Sequence, residues 1–287
     1  MGPFIIERES KAGIFLSWVS IFIFMVLLLA VSRPTAEAQE SEDLRAKTQN
    51  PVGAMISVPL KNSFDFGAQN GTAYFLNIQP VIPVTVGDWN LINRVILPII
   101  HVGGPIAGTP SIPQGQPGDG ATGLGDINYS VFLSPESPGK LIWGIGPSIS
   151  FPTATDDQLG SAKWSAGPTV VLLTQPKPWT LGALFRQLWS FAGTSGRPDV
   201  NQFLLEPFVN YNLSKGWYLI SDMILTANWD ADSGNQWTIP IGGGFGKMFK
   251  IGKQAMNSKL EAYYNVEKPN GAPDWQLSFT IQFLFPK

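Results

Sequence analysis

The chain has 287 residues, 14% of them charged, with a formal net charge of -2, one histidine and no cysteine. That balance excludes a nucleic-acid surface built on basic clusters, and without cysteine there is neither a disulfide framework nor thiol chemistry. Charge is well below the roughly 25% of an ordinary soluble domain, while ten Trp, eighteen Phe and 30 Gly leave much aromatic surface to hide in a core or in lipid.

The chain opens with Arg8 and Lys11, then an apolar run from Ala12 to Val31, then Ala36-Glu37-Ala38. A basic start, an apolar stretch and an A-x-A site read as a signal peptide cleaved after residue 38. A retained anchor is the other reading, because the run is about the 20 residues that span a bilayer. The polar stretch that follows favours export. Residues 39–54 are expected to form a periplasmic N-terminal segment, and residues 55–287 a β-barrel. No later stretch is long and apolar enough for a membrane helix, and lipid cannot satisfy an open sheet edge, so a membrane-embedded chain has to close into a barrel.

Alternating segments then follow in order. The first, about Met55 to Phe66, sets Ile56, Val58, Leu60, Phe64 and Phe66 on one face against Lys61 and Asp65. The second, about Thr72 to Val84, sets Tyr74, Leu76, Ile78, Ile82 and Val84 against Asn77 and Gln79. The third runs from Trp89 to about Ile100, with Asn90 and Arg94 on one face. A Gly/Pro-rich loop covers about Val102 to Gly123. The fourth segment, to Phe132, faces Asp126, Asn128 and Ser130 one way. The fifth (Leu141 to Phe151) sets Trp143, Ile145, Ile149 and Phe151 against Gly144, Gly146, Ser148 and Ser150, and the sixth (Trp164 to Thr174) and seventh (Trp179 to Phe191) follow. The eighth, Asn201 to Leu213, opposes Phe203, Leu205, Val209, Tyr211 and Leu213 to Gln202, Glu206, Asn210 and Asn212. The ninth is about Trp217 to Trp229, the tenth Trp237 to Phe249 and the eleventh Asn257 to Glu267.

The twelfth segment is the most regular. Trp275, Leu277, Phe279, Ile281, Phe283 and Phe285 alternate with Gln276, Ser278, Thr280 and Gln282. Strict alternation puts one face against something greasy and the other against something wet. Twelve is even, as single-chain bacterial barrels require, and tight turns alternate with longer loops rich in Gly, Asp and Asn, which is the outer-membrane pattern. Both termini then fall on the periplasmic side. Trp89, Trp164, Trp179, Trp217, Trp229, Trp237 and Trp275 stand near strand ends, where aromatic girdles meet the two lipid interfaces. The fold expected is an all-β, twelve-stranded antiparallel transmembrane barrel behind a cleaved signal peptide.

The stretches GLGDINYSVFLSP (123–135), IWGIGPSISFPTATDDQLGSAKWSAGP (142–168), WYLISDMILTANWDADSGNQWTIPIGGGFGK (217–247) and GAPDWQLSFTIQFLFPK (271–287) together resemble one bacterial outer-membrane family. It is grouped with the meta-pathway of phenol degradation, loosely labelled transporter-like and sometimes mislabelled neuromedin U. The resemblance covers nearly the whole mature chain. It implies an outer-membrane barrel with a transport role, and it supplies no catalytic residues and no firm substrate.

A charge facing lipid costs about 2–4 kcal/mol at midplane for Arg or Lys, so Lys61, Asp65, Arg94, Asp126, Arg186, Glu206, Asp222, Lys259 and Glu261 are expected in the lumen, with Glu267 beside them. They are the candidate solute path, and Arg94 and Arg186 are expected to reach carboxylates across the barrel. The same charges also suit a plugged interior in which ions pair to fill space. Gly242-Gly243-Gly244-Phe245-Gly246 lacks the Lys-Ser/Thr and the helix of a phosphate loop and reads as small residues where a strand bends or another segment approaches. Asp230 to Asn235 lacks the bidentate Glu of a calcium loop and, like Asp156-Asp157, reads as polar surface. A hydrolase would need His101 as base, and no marked carboxylate accompanies it. No catalytic residue, metal or cofactor is assigned. The expected partners are outer-membrane lipid and a small solute, hydrophobic and aromatic ones among the candidates. The competing readings are a structural or surface-interaction barrel with a closed lumen, and a soluble ligand-binding barrel, against which the repeated Trp argues.

Overall fold

The structure is a computed structural model and describes residues 37–286. The apolar run from Ala12 to Val31 and Ala36 of the expected cleavage site lie outside the described residues. A helix, α1 (Glu37–Thr48), comes first. Twelve antiparallel strands follow: β1 (Ile56–Ala68), β2 (Gly71–Ile78, continuing as Val81–Val86), β3 (Trp89–Val102), β4 (Ala121–Leu124, continuing as Ile127–Pro135), β5 (Ile142–Phe151), β6 (Lys163–Thr174), β7 (Trp179–Gly193), β8 (Asn201–Asn212), β9 (Trp217–Asp222, continuing as Leu225–Asn228), β10 (Trp237–Ile251), β11 (Gln254–Glu267) and β12 (Trp275–Phe285).

Each strand pairs with its neighbours in sequence, and β12 returns to β1 in register from Ile56↔Phe285 to Phe66↔Trp275. The sheet closes on itself as the alternation requires, and the closure removes the free edge that lipid could not satisfy. No helix among the described residues is long and apolar enough to cross a membrane; the crossing elements are the strands.

Ile145 and Leu277, which the alternation assigned outward, stand exposed on the barrel wall, and so do Leu91, Leu172, Leu181, Phe185, Leu219 and Ile241. Their inward neighbours Asn90, Ser130, Ser148, Thr169, Asp222, Glu261, Ser278 and Thr280 are buried. Two aromatic rings of contacts flank this apolar band. At the short-turn end Trp179 meets Tyr211 at 4.7 Å and Trp89 meets Trp143 at 6.0 Å. At the long-loop end Trp229 meets Trp237 at 5.3 Å, Phe151 meets Trp164 at 5.4 Å and Tyr264 meets Trp275 at 4.7 Å. Two asparagines that point outward are neutralised locally: Tyr74 Oη donates to Asn62 Oδ1 and Tyr129 Oη to Asn93 Oδ1, each at 2.7 Å. His101 is also on the outer face, with Nδ1 2.7 Å from Thr122 Oγ1.

One ladder is interrupted. β9 pairs with β10 at Trp217↔Lys247 to Ile220↔Gly244 and again at Thr226↔Thr238 and Ala227↔Trp237, but not between. Side chains take over there. Ser221 Oγ donates to Gly242 O at 2.7 Å, and the Asp222 amide donates to Tyr263 Oη at 3.0 Å. The glycines of β10 permit this crowding: a Cβ at Gly246 would lie 2.2 Å from Tyr218 Cζ.

Candidate functional site

The lumen is closed at both ends by chain segments, not by the wall. At the short-turn end, α1 and residues 49–55 enter the barrel. Arg45 Nη1 donates to Leu213 O at 2.9 Å and to Trp217 O at 3.2 Å, across the β8–β9 turn. Gln175 Nε2 donates to Ala46 O at 2.8 Å, Thr180 Oγ1 to Gln49 Oε1 at 2.8 Å, and Gln49 Nε2 to Asn212 Oδ1 at 3.0 Å. Leu44 and Met55 pack with Met248, Ala255 and Leu284. Val52 goes deeper, into a cluster with Ile92, Phe132, Val171, Leu173, Leu184, Leu204 and Phe208.

That cluster was not foreseen. Alternation predicts a polar lumen, yet Leu204 and Phe208 lie on the inward face of β8 beside Gln202, Glu206 and Asn210. They are apolar because Val52 has to be buried against something. The signal available in the sequence was the run of apolar residues on both faces of the sixth and seventh segments.

At the other end the Gly/Pro-rich loop folds inward. Ile106 and Ile112 are 2% and 1% exposed and pack with Phe75, Ile100, Val102 and Leu159. Gly108 O accepts a hydrogen bond from Thr238 Oγ1 at 2.8 Å, and Gln114 Nε2 donates to Asp199 O at 2.7 Å.

Between these two closures lie two cavities in line. The upper holds about 120 Å³ and runs from Thr109, Pro110 and Ser111 of the infolded loop down to Arg94 and Glu206. The lower holds about 130 Å³ and runs from Arg94 and Glu206 down to Lys47, Asn50 and Met55. Gln79, Arg94, Leu184 and Glu206 line both, so they stand at the boundary between the two.

The sequence-predicted residues divide into two groups. Lys61, Asp65, Arg94, Asp126, Arg186 and Glu206 line the upper cavity. Asp222, Lys259 and Glu261 form a buried ion cluster beside it, with Lys259 two strands from Lys61. Lys259 Nζ bonds Asp222 Oδ2 and lies 3.3 Å from Glu261 Oε2. Tyr263 Oη stands between the two carboxylates, 3.0 Å from Asp222 Oδ1 and 2.8 Å from Glu261 Oε1. Asp222 also borders a side recess with Ile224 and Pro240. Tyr263 itself was missed: the period of two places it on the face of Lys259 and Glu261, but an aromatic residue does not by its type announce a bond to two carboxylates.

Two expectations are corrected. The arginines do not reach carboxylates: among the described residues no ion pair involves Arg94 or Arg186. Arg94 Nη2 instead donates to Gln79 Oε1 at 3.2 Å. The carboxylates are engaged elsewhere. Asp126 accepts from the amides of Ala154 and Ser161 and from Ser161 Oγ, at 3.2, 2.7 and 2.7 Å, and Asp65 accepts from Gln276 Nε2 at 2.9 Å. Glu267 does not face the lumen but is exposed where β11 leaves the barrel.

The surface loops are held by local bonds. Asp156 caps a 3-10 turn by accepting from the Gln158 amide at 2.9 Å. Asp157 pairs with Arg197 at 3.1 Å. Asp230 accepts from Asn201 Nδ2 at 3.0 Å. Asp199, in the β7–β8 loop, accepts from Lys163 Nζ at 2.9 Å and Ser190 Oγ at 3.1 Å, and these donors, Lys163 first, hold its carboxyl below the usual carboxylate range.

No family model matches the chain, and no curated protein matches it in sequence. Among solved structures it is similar to an outer membrane channel from Pseudomonas putida F1, at 15% identity and TM-score 0.58, over 89% of this chain and all of that one. It also aligns with the NanC porin, at 12% identity and TM-score 0.49 over 80% of this chain and 100% of that one. A third alignment is with the CymD monoaromatic hydrocarbon channel, at 10% identity and TM-score 0.43 over 85% of this chain and 92% of that one. The first of these shows the barrel fold.

Proposed function

We propose that this barrel is an outer-membrane channel for small solutes, hydrophobic and aromatic ones among them, in the transporter-like family that its sequence resembles. The observation that carries the reading is the pair of cavities set in line inside a closed, apolar-faced barrel. They meet at Gln79, Arg94, Leu184 and Glu206 and end at chain segments that are not strands of the wall. A solved barrel of the same fold is an outer membrane channel, and the proposal extends that role to this chain. The polypeptide is exported, its short turns and both termini face the periplasm, and the infolded loop between β3 and β4 faces outward. The nine charged residues divide the work. Lys61, Asp65, Arg94, Asp126, Arg186 and Glu206 line the solute path, and Asp222, Lys259 and Glu261 brace its wall.

The closed-lumen reading is favoured by one observation, the hydrogen bonds that tie α1 to the short turns. Planar-bilayer recording of the refolded chain separates the two. Discrete openings, larger after residues 39–54 are removed, support a channel whose resting state is shut. No openings from either form would leave a structural barrel.

A further inference from the structure

We infer that the upper cavity is a binding site for a small organic anion, a monocarboxylate with an apolar or aromatic body, and that Arg94 and Arg186 hold its carboxylate. The inference rests on the channel reading and names the solute class for it.

Hydrogen-bond accounting inside the cavity leads there. Arg186 is 8% exposed, and its Nε has no hydrogen-bond partner. It sits on β7 between Thr169 of β6 and Leu204 of β8; the Thr169 hydroxyl donates to Phe185 O and does not accept from the guanidinium Nε, and Leu204 offers no acceptor in its side chain. Ser165 Oγ, 1% exposed and on the same cavity wall, is also without a partner. Arg94 reaches only a neutral amide. A guanidinium is a fork of donors with no acceptor, and leaving buried donors unsatisfied is costly.

The nearby carboxylates do not serve these donors. Asp126 accepts from residues 154 and 161, and Asp65 accepts from Gln276. Among the described residues neither they nor Glu206 pairs with an arginine, and Glu206 is the carboxylate that lines the cavity nearest both. One carboxylate facing two guanidinium groups leaves room for a second. A planar carboxylate is the ligand that an arginine fork fits in two-point fashion.

The apolar part of the lining favours an anion with an apolar body over a bare inorganic one. Phe75, Ile96, Phe132, Leu184, Leu188 and Leu204 share the cavity with the arginines. Its volume, about 120 Å³, is near the roughly 150 Å³ of an apolar protein cavity that admits benzene. A ligand with one charged end and one apolar body of that size satisfies both halves.

The test uses benzoate, benzyl alcohol and inorganic phosphate as probes, titrated calorimetrically into the full-length refolded protein. Benzoate should bind saturably, at least tenfold more tightly than benzyl alcohol or phosphate. Arg94→Gln and Arg186→Gln should each weaken benzoate at least tenfold and leave benzyl alcohol unchanged, and Lys140→Gln, in an exposed turn, should change nothing. Heat-modifiable gel migration reports folding; if Arg186→Gln fails it, Arg186→Lys and Arg94→Gln carry the comparison. Equal binding of benzoate and benzyl alcohol, phosphate as tight as benzoate, or benzoate binding indifferent to both arginines overturns the site. Single-channel recording is read separately. Openings without benzoate binding leave the channel and sink the site, while benzoate binding without openings sinks the channel and leaves a carboxylate-binding barrel.

Discussion

Val52 occupies space left by Gly144: a Cβ built on that glycine would lie 2.8 Å from Val52 Cγ1. The segment before β1 is thus keyed into the wall of β5, and the key is the missing side chain.

This contact lets the plug be tested from either side. Val52→Asp would bury a charge among Ile92, Phe132, Leu184 and Phe208 and also lose the roughly 1.5–3 kcal/mol of a buried Val side chain. Gly144→Val would push on the same contact from the wall. Both variants should insert normally and show more frequent or larger openings than wild type. Unchanged conductance in both would show that Val52 does not close the lumen.

The outer face sets a second test, on β12. Phe279→Arg places a cation in lipid, at about 2–4 kcal/mol. Gln276→Arg places one in the upper cavity beside Asp65, now 2.9 Å from the Gln276 amide. Thr280 is a poor inward control, because its register partners are Lys61 and Lys259. The first variant should assemble poorly and the second well, measured by heat-modifiable migration. Equal yields would mean that the register of β12 is wrong.

The ion cluster predicts stability, not transport. Lys259 faces two carboxylates, and Glu261 has a side-chain exposure of 0%. Removing the cation leaves two buried anions, and breaking a buried pair in this way costs about 3–5 kcal/mol. Lys259→Met should lower the urea midpoint of the folded barrel clearly. Tyr263→Phe, which removes only the hydroxyl between the carboxylates, should do so by less. A Lys259→Met barrel as stable as wild type would refute the role given to the cluster.

How much of this was legible beforehand can be judged from particular residues. Leu277, Phe279 and Ile281 declared their face because a strand has a period of two, and Lys259 and Glu261 declared theirs by the same rule. Their partner did not: Asp222 meets Lys259 across β10, where glycines let Tyr218 and Tyr263 cross, and alternation carries no information about which strands approach inside a closed sheet. Ile106 and Ile112 were hidden inside a Gly/Pro-rich stretch that reads as surface. Leu204 and Phe208 contradicted the wet-lumen expectation, and only Val52, in a segment read as merely periplasmic, explains them.

One loop contact should withstand mild acid. The Asp199 carboxyl is held below its ordinary value by the Lys163 donor. A carboxyl lowered on folding contributes stability above its unfolded pKa, about 3.9, and loses it as pH falls through the lower native value. The Lys163–Asp199 contact should therefore persist at pH 5. Carbon-13 titration of the Asp199 carboxyl should give a midpoint below 3.9, and Lys163→Met should raise it. A wild-type midpoint at or above 3.9 would show that the contact does not persist in solution.

The boundary between the cavities makes the sharpest prediction. Arg94 and Glu206 are its charged members, with Gln79 and Leu184 completing the ring. Arg186 lies one inward position above on the neighbouring strand, since Leu204 is its register partner and Glu206 is two residues further along β8. An ion crossing a narrow ring feels the local charge more than the barrel's total, because screening by water is weakest there. Removing Glu206 leaves both arginines without an opposing charge, so Glu206→Gln should shift the open pore toward anions. Arg94→Gln and Arg186→Ala should shift it toward cations, Arg94 by more, because it lines both cavities. Reversal potentials under a tenfold salt gradient read this directly in a form lacking residues 39–54, from which the short-turn closure has been removed. If all three variants reverse at the wild-type potential, the conducting path does not run between Arg94 and Glu206, and ions cross the barrel by another route.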